Sequence, residues 1–322
     1  MSEPSKPVLI TGATGFVGSR LADALHAAGV PVRCGSRRPQ RAASARPALD
    51  WVPFDLEDGD SINSALRGTR AAIYLVHLMA DGEGYAERER QAAATFAALA
   101  AANGLERIIY LGGVAPQGPP SEHLQSRLDT GRILRDGPVP TLELRAGMII
   151  GDGSESWKIC RDLAARLPFM LLPKWLRSRS APVAIDDVIT ALMASVTLPM
   201  IESTIYDLPG PEVLTAEQIL VRAARLRGME PRTLALPLVS PQLSSYWLKL
   251  VSGADFMVAQ ELVHGLVHDL LPSHPSLWDA LPGVQPLGFD EAVRLATAAE
   301  GPRPLQIRVL EGLARRLSRS AR

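Results

Sequence analysis

Gly12, Gly15 and Gly18 stand between three apolar residues, Val8, Leu9 and Ile10, and apolar residues at helical spacing, Val17, Leu21 and Leu25. Glycines three apart between a strand and a helix suit one chemistry in particular. The first permits a tight turn, the second lets backbone N–H groups approach a pyrophosphate, and the third lets the helix lie close against the strand. The helix N-terminus adds partial positive charge toward the phosphates. The stretch therefore points to a bound dinucleotide, against the blander reading of a structural glycine turn.

A second short strand is predicted over Pro31–Ser36, and Arg37, Arg38 and Arg41 follow it at once. A carboxylate at the end of that strand would hold a ribose 2′-hydroxyl, whereas a cation there meets a 2′-phosphate. No carboxylate is near, so NADP is the expected cofactor, with NAD as the alternative. The competing reading is a solvated arginine cluster in a loop.

His77 follows a fourth predicted strand, Ala71–Val76, and is expected to overhang the nicotinamide side of the crevice. With an ordinary pKa of about 6.5, an imidazole there is a feasible general acid; a hydrogen-bonded structural histidine is the equal alternative. Tyr85 either faces the pocket or, the preferred reading, is a helix-start aromatic packed on a neighbour. His264 and His268 lie four apart, but no third ligand follows at suitable spacing, so no metal is expected. The sequence holds no Ser-His-Asp set and no nucleic-acid motif.

These residues need elements to position them. A third strand is read at Trp51–Phe54, a short helix at Ser61–Leu66, an Ala-rich helix from Tyr85 to Asn103 closed by Gly104, and a fifth strand at Arg107–Leu111. Strands alternating with helices give an α/β fold: a Rossmann-type, doubly wound parallel sheet covered on both faces. Right-handed crossovers then bring the loops after Ile10, Val76, Leu111 and Leu144 to one crevice.

Residues 1–150 form the nucleotide-binding core in this reading, with 183–212 returning to the sheet through a strand at Thr204–Leu208. Residues 151–182 and 213–300 form a smaller, mostly helical substrate-binding region. There, Trp157, Leu167, Phe169, Met170, Leu171, Leu172, Trp175 and Leu176 line either an apolar pocket or a second core. Ala184–Val188 opens a helix, Thr215 caps another, and Leu234–Leu238, Leu243–Leu271 and Phe289–Ala299 complete the region, the second broken near Gly253.

Residues 301–322 carry Ile307, Leu310, Leu313 and Leu317 at helical spacing among Arg308, Arg315, Arg316, Arg319 and Arg322. Such a basic amphipathic tail either touches an anionic membrane peripherally or, the preferred reading, packs on the protein with its basic face in water.

Composition sets outer bounds. Lys+Arg and Asp+Glu are equal at 34 each, which suggests no nucleic-acid partner, and 47% hydrophobic with 21% charged residues suits a globular fold. Cys34 and Cys160 are expected as two reduced thiols. With no signal-peptide core in Met1–Pro7 and no apolar run of about 18 residues, the expected location is cytoplasmic, and the expected partner a small-molecule substrate.

Taken together, Thr11–Gly18, Arg37, Asp55-Leu56, Leu144-Arg145 to Gly151, Ile185–Val188 and Tyr206–Pro211 resemble an atypical short-chain dehydrogenase/reductase of the extended or NmrA-like kind. Tyr74–Met79, Tyr110–Gly113, His123–Leu134 and Leu243–Trp247 are most similar to a bacterial branch of NAD(P)-binding oxidoreductases. The resemblance implies a pyrophosphate cradle from Thr11, Gly12, Thr14, Gly15, Phe16, Val17 and Gly18. It puts Arg37, beside Arg38, at the 2′-phosphate, Asp55 and Leu56 at the adenine, and Val76 and His77 by the nicotinamide.

The family's Ser, Tyr and Lys do not carry over. Gly113 stands for the Ser, and His123 and Arg127 stand for the Tyr and Lys. Arginine, with a pKa above about 12, cannot relay protons, so Arg127 is either an electrostatic anchor or an ion-pair partner. His123 can titrate and joins His77 as a candidate acid. Two functions follow: an NAD(P)-dependent oxidoreductase, with NADPH preferred, acting on a small apolar carbonyl or enone, or a dinucleotide-binding redox sensor or assembly factor without turnover.

Overall fold

A computed structural model describes residues 6–78, 84–167, 169–236, 267–302 and 304–319. The chain begins with β1 (Val8–Ile10), α1 (Phe16–Ala27), β2 (Val32–Ser36), α2 (Pro39–Ala45), β3 (Asp50–Pro53) and α3 (Gly59–Leu66). It continues with β4 (Ala71–Tyr74), α4 (Tyr85–Ala102), β5 (Arg107–Gly113), α5 (Glu122–Asp136) and β6 (Thr141–Ala146). After α6 (Glu155–Arg166) and α7 (Ile185–Ser195), β7 (Thr204–Asp207) joins the same sheet. Then α8 (Ala216–Leu226), α9 (Phe289–Ala298) and α10 (Leu305–Arg319) follow.

The sheet order is β7-β6-β5-β4-β1-β2-β3, and every pairing in it is parallel. The order reverses beside β1, which pairs β2 on one side (Val8 opposite Val32) and β4 on the other (Val8 opposite Ala71). In such a sheet the crevice for a ligand opens beyond the strand ends at that switch point. Apolar strands such as Val8-Leu-Ile10 can lie there because helices cover both faces: Ile10, Ile73, Ile109 and Leu144 pack under α1 and α7. Leu9, Tyr74 and Tyr110 pack on the other face with Ile62, Phe96 and Leu134. Tyr74 meets Phe96 edge to face at 5.0 Å.

Element ends differ from the sequence reading by a few residues, each for a local reason. The fourth strand stops at Tyr74 rather than Val76, because the Leu75 N–H donates 2.9 Å to the Thr11 hydroxyl instead of extending the ladder. The third helix starts at Gly59 rather than Ser61: Asp58 caps it, and the Ser61 hydroxyl accepts from the Asp55 N–H. Thr215 caps α8 as expected, in a capping box with Gln218.

The large apolar residues after Gly151 divide. Trp157, Met170 and Leu176 are buried with Cys160, Ile219, Phe289 and Val293, so for them the second core holds rather than a substrate pocket. Phe169 is exposed. The predicted Leu243–Leu271 helices, with Gly253, Leu243–Trp247 and His264, fall in 237–266 for most of their length and lie outside the described residues. Among the described residues no group of His, Cys, Asp or Glu could hold a metal.

The tail helix α10 seats on the body through Ala314 and Ser318, and it turns Leu305, Val309, Leu310, Leu313 and Leu317 to solvent. No helix among the described residues is long and apolar enough to cross a membrane.

One buried ion cluster sits inside the sheet layer. Glu143 on β6, fully buried, accepts from Arg145 at 2.7 Å and from Arg135 of α5. Gly131 makes room for it, since a Cβ there would lie 2.6 Å from the carboxylate.

Gly18 carries the tightest constraint on α1. A Cβ on it would meet the Gly12 carbonyl oxygen at 2.3 Å, whereas one on Gly147 would meet nothing within 4 Å. Gly18→Ala should lower unfolding free energy by about 1–3 kcal/mol or more, as overpacking against backbone does. Gly147→Ala should stay within about 0.5 kcal/mol. Parallel urea melts check the contrast.

Candidate active site

The cradle is built from backbone. Gly12 takes φ +65°, and a Cβ there would be 3.1 Å from Val76 Cγ2, so a side chain is refused both by conformation and by space. Gly15 caps α1 with no side-chain partner, and the first turn of α1 holds no acid. The N–H groups and dipole of α1 therefore face the crevice uncompensated, which fits a pyrophosphate.

Thr14 and Gly15 are exposed at the turn. Thr11 is not: fully buried, its hydroxyl donates 3.3 Å to the Ile73 carbonyl and accepts from the Leu75 N–H, clipping β1 to the segment after β4. Phe16 and Val17 pack on the core, and the Phe16 ring lies 3.1 Å from where a Cβ on Gly153 would be.

Arg37 and Arg38 are exposed just past β2, and the Ser36 hydroxyl accepts the Arg38 N–H at 3.1 Å. Asp55 and Leu56 follow β3. The Asp55 carboxylate accepts from the Glu57 N–H at 3.1 Å, and Leu56 is buried in the core. Leu56 thus leaves only backbone for a ligand.

The titratable groups converge where β4 and β5 end. His77, in the half-buried segment Leu75–His77, lies with its ring centroid 6.5 Å from His123 on α5 and 6.1 Å from Tyr110 on β5. Arg127, one turn beyond His123, donates from Nη2 to the Leu111 carbonyl at 3.1 Å, while its own carbonyl accepts from the Tyr110 hydroxyl at 2.9 Å. Its Nε is buried without a hydrogen-bond partner among the described residues. That atom lies 3.8 Å from the point a Cβ on Gly113 would occupy. The structure thus brings His77, His123, Arg127 and Gly113 together.

Leu124 crowds position 113: its Cδ1 would be 2.8 Å from a Cβ there, so a serine would require that side chain to move. Tyr85 is buried at the start of α4, in the packing role read from the sequence. His268 packs on Gly118, where a Cβ would be 2.6 Å from its Nδ1.

Charge states follow from burial. Burial and the Arg127 charge lower the His77 pKa against the pull of Glu89. Burial, with the charges of Arg127 and His77, lowers His123 to about 3. Both rings are therefore mainly neutral near pH 7.

Glu89 was not singled out by sequence. It is 2% exposed, accepts the Leu78 N–H at 2.7 Å, takes the Ser126 hydroxyl on its other oxygen, and lies 3.5 Å from His77 Nδ1. At that distance the His77 contact is electrostatic more than a formed hydrogen bond. Burial opposes its charge, but the His77, Ser126 and Leu78 contacts outweigh burial and hold the carboxyl at about 2. The signal was present in the spacing, because Glu89 falls on the stripe of Tyr85, Ala92, Ala93, Phe96 and Ala100 that α4 buries.

Residues 8–137 match the NAD dependent epimerase/dehydratase family. The match spans less than half of the chain, which is similar to that family through this region. The matched residues run from β1 to the end of α5.

A (4-alkanoyl-5-oxo-2,5-dihydrofuran-3-yl)methyl phosphate reductase of Streptomyces griseus is 29% identical over 229 residues, 69% of this chain and 74% of that protein. A ceramide reductase of Caulobacter vibrioides is 28% identical over 287 residues, 85% of this chain and 89% of that protein. Among solved structures, the triphenylmethane reductase of Citrobacter sp., complexed with NADP(H), matches with a TM-score of 0.71 at 16% identity, over 90% of this chain and 99% of that one.

The Glu89 contacts give an acid limb to stability. A carboxyl ordinarily at 4.5 and held at about 2 when folded binds fewer protons folded than unfolded. Its contribution, about 3 kcal/mol, is present above pH 4.5 and lost as pH falls toward 2. In chemical melts at stepped pH, Glu89→Gln should be flatter than wild type across that window and less stable above it.

Proposed function

We propose that the chain is an NADPH-dependent reductase, of the atypical NmrA-like kind, acting on a small carbonyl or enone with an apolar substituent. The observation that carries this reading is one crevice holding both an uncapped glycine cradle and the cluster His77, His123 and Arg127. Reductase names among the curated relatives support it, and those names specify an alkanoyl-substituted furanone phosphate and a ceramide, which favours an apolar substituent.

When bound, the dihydronicotinamide supplies a hydride. The chain's own residues handle what the hydride leaves behind. Oxygen of the substrate carbonyl gains negative charge and needs a fixed cation and a proton. Arg127 supplies the cation: its Nε–H is desolvated, lacks a partner within the described protein, and lies 3.8 Å from where a Cβ on Gly113 would be. A hydrogen bond from a desolvated guanidinium is stronger than one in water. The proton comes from an imidazole, and only the protonated fraction of His77 or His123 can give it. Arg37 and Arg38, exposed beyond β2, are the groups for a 2′-phosphate.

Two measurements test the reading. A bidentate arginine contact to phosphate contributes about 1.5–3 kcal/mol, so NADPH should bind roughly ten- to a hundredfold tighter than NADH, and Arg37→Ala should remove most of that preference. With a responding carbonyl, kcat/KM should rise as pH falls below 6.5, because the His77 and His123 pKa values are lowered and the acid form grows only there. Loss of the working imidazole in His77→Gln or His123→Gln should cost about 10²–10⁴ in rate. If no carbonyl or enone in a broad screen oxidises NADPH, the reading gives way to a redox sensor.

A further inference from the structure

A carboxylate on the packing stripe of α4 needs a reason. Helix packing alone would be served as well by an apolar side chain, since replacing a buried ion pair by well-packed apolar residues is often neutral or stabilising. Glu89 instead spends both oxygens on two other elements. Oε1 faces the segment after β4, where it accepts the Leu78 N–H at 2.7 Å and lies 3.5 Å from His77 Nδ1. Oε2 takes the Ser126 hydroxyl from α5. Two of these three groups are fixed donors, and the third is a ring whose proton can sit on either nitrogen.

His77 and His123 are distinguished by this contact. Among the described residues, the other groups around His77 are Arg127 and His123 of α5 and Tyr110 of β5. Among the described residues Glu89 is the anion beside them: it lies 3.5 Å from His77 Nδ1, whereas its charge is the smallest of the influences on His123, whose ring lies 6.5 Å from that of His77. An anion beside Nδ1 favours the tautomer with its proton there and leaves Nε2 as the exchanging nitrogen.

We propose that Glu89 is a positioning residue that holds a proton on His77 Nδ1 and thereby makes His77, rather than His123, the imidazole that delivers a proton from Nε2 to the substrate oxygen. The chemical consequence rests on the reductase reading; the geometry does not. In the reducing direction the Nε2–H bond of the imidazolium breaks, its electron pair stays on nitrogen, and the proton forms the O–H bond of the product. Neutral His77 then takes a proton from water. The carbon receives its electron pair from the dihydronicotinamide, so one hydride and one proton account for the alcohol.

The test uses the full chain, without cofactor or substrate, and ¹⁵N-edited NMR of the imidazoles across pH. Wild type should show neutral His77 as the Nδ1–H tautomer. Glu89→Gln should lose that tautomer bias and drop the His77 midpoint by a unit or more, with His123 moving less, and Glu89→Asp should restore the tautomer. In turnover, Glu89→Gln should lower kcat at least tenfold and move the pH profile with the His77 midpoint, leaving KM for NADPH near wild type.

An unchanged His77 tautomer and midpoint in Glu89→Gln overturns the proposal, as does a changed midpoint with an unchanged rate and pH profile. Should Glu89→Gln fail to fold, Ser126→Ala keeps the carboxylate but removes one of its donors. The His77 midpoint should then rise, and no movement overturns the proposal. If the NMR shifts occur and wild type reduces no carbonyl, the Glu89–His77 coupling stands and the reductase reading alone falls.

Discussion

Everything on the nucleotide side of this molecule depends on one backbone contact, the approach of α1 to the turn after β1. Gly18 sits so close to the Gly12 carbonyl that a single Cβ would overlap it. That approach sets the direction of α1, and with it the N–H groups that face the crevice. Gly12, at positive φ, then brings the same turn against Val76. Thr11 extends the constraint by one residue, because its buried hydroxyl bridges β1 to Ile73 and Leu75 across the β4 edge. The cradle and the segment bearing His77 are therefore joined by a few short contacts, and neither can shift without the other.

Charge is buried on the opposite face of the sheet, in two separate places. Glu143 with Arg135 and Arg145 ties α5 to β6, and Glu89 with His77, Leu78 and Ser126 ties α4 to α5 and to the end of β4. Ion pairs of this kind give little net stability, because desolvation offsets attraction. Their effect is geometric. Between them they hold α5 at two levels, and α5 is the element that carries His123 and Arg127 over the crevice. Gly131, which admits the Glu143 carboxylate to the helix surface, belongs to this arrangement as much as the charges do.

The parallel sheet and the cradle were legible in the sequence because both rest on local signals. Apolar runs such as Val8-Leu-Ile10 announce strands buried on both faces, and glycine spacing announces a turn only glycine can make. Gly113, His123 and Arg127 were also named from the sequence, and the structure places them near His77. What was not legible depends on tertiary partners. Glu89 resembles its neighbour Glu87 in sequence, yet Glu87 pairs with Arg90 on the surface and Glu89 is buried. Thr11 has the look of a ligand-facing residue and is committed to the fold. The crowd of apolar residues around Trp157 could not be divided into core and pocket until α8 and α9 were seen to cover it.

A hydroxyl at the end of β5 and a phenol–lysine pair on the next helix combine two tasks, holding charge and giving a proton, in neighbouring groups. Here the tasks are separated. Leu124 crowds the glycine that stands at the end of β5, and Arg127 brings a permanent charge whose Nη2 is anchored to the Leu111 carbonyl. A guanidinium can stabilise an alkoxide but cannot neutralise it by proton transfer. The same charge lowers the pKa of both imidazoles beside it. In the proposed reduction, the group that would stabilise the developing oxygen thus works against the group that would protonate it. Of the charges set around His77 among the described residues, Glu89 is the one that opposes Arg127 there, which makes a buried carboxylate on α4 as much a part of the site's electrostatics as the residues that face the crevice.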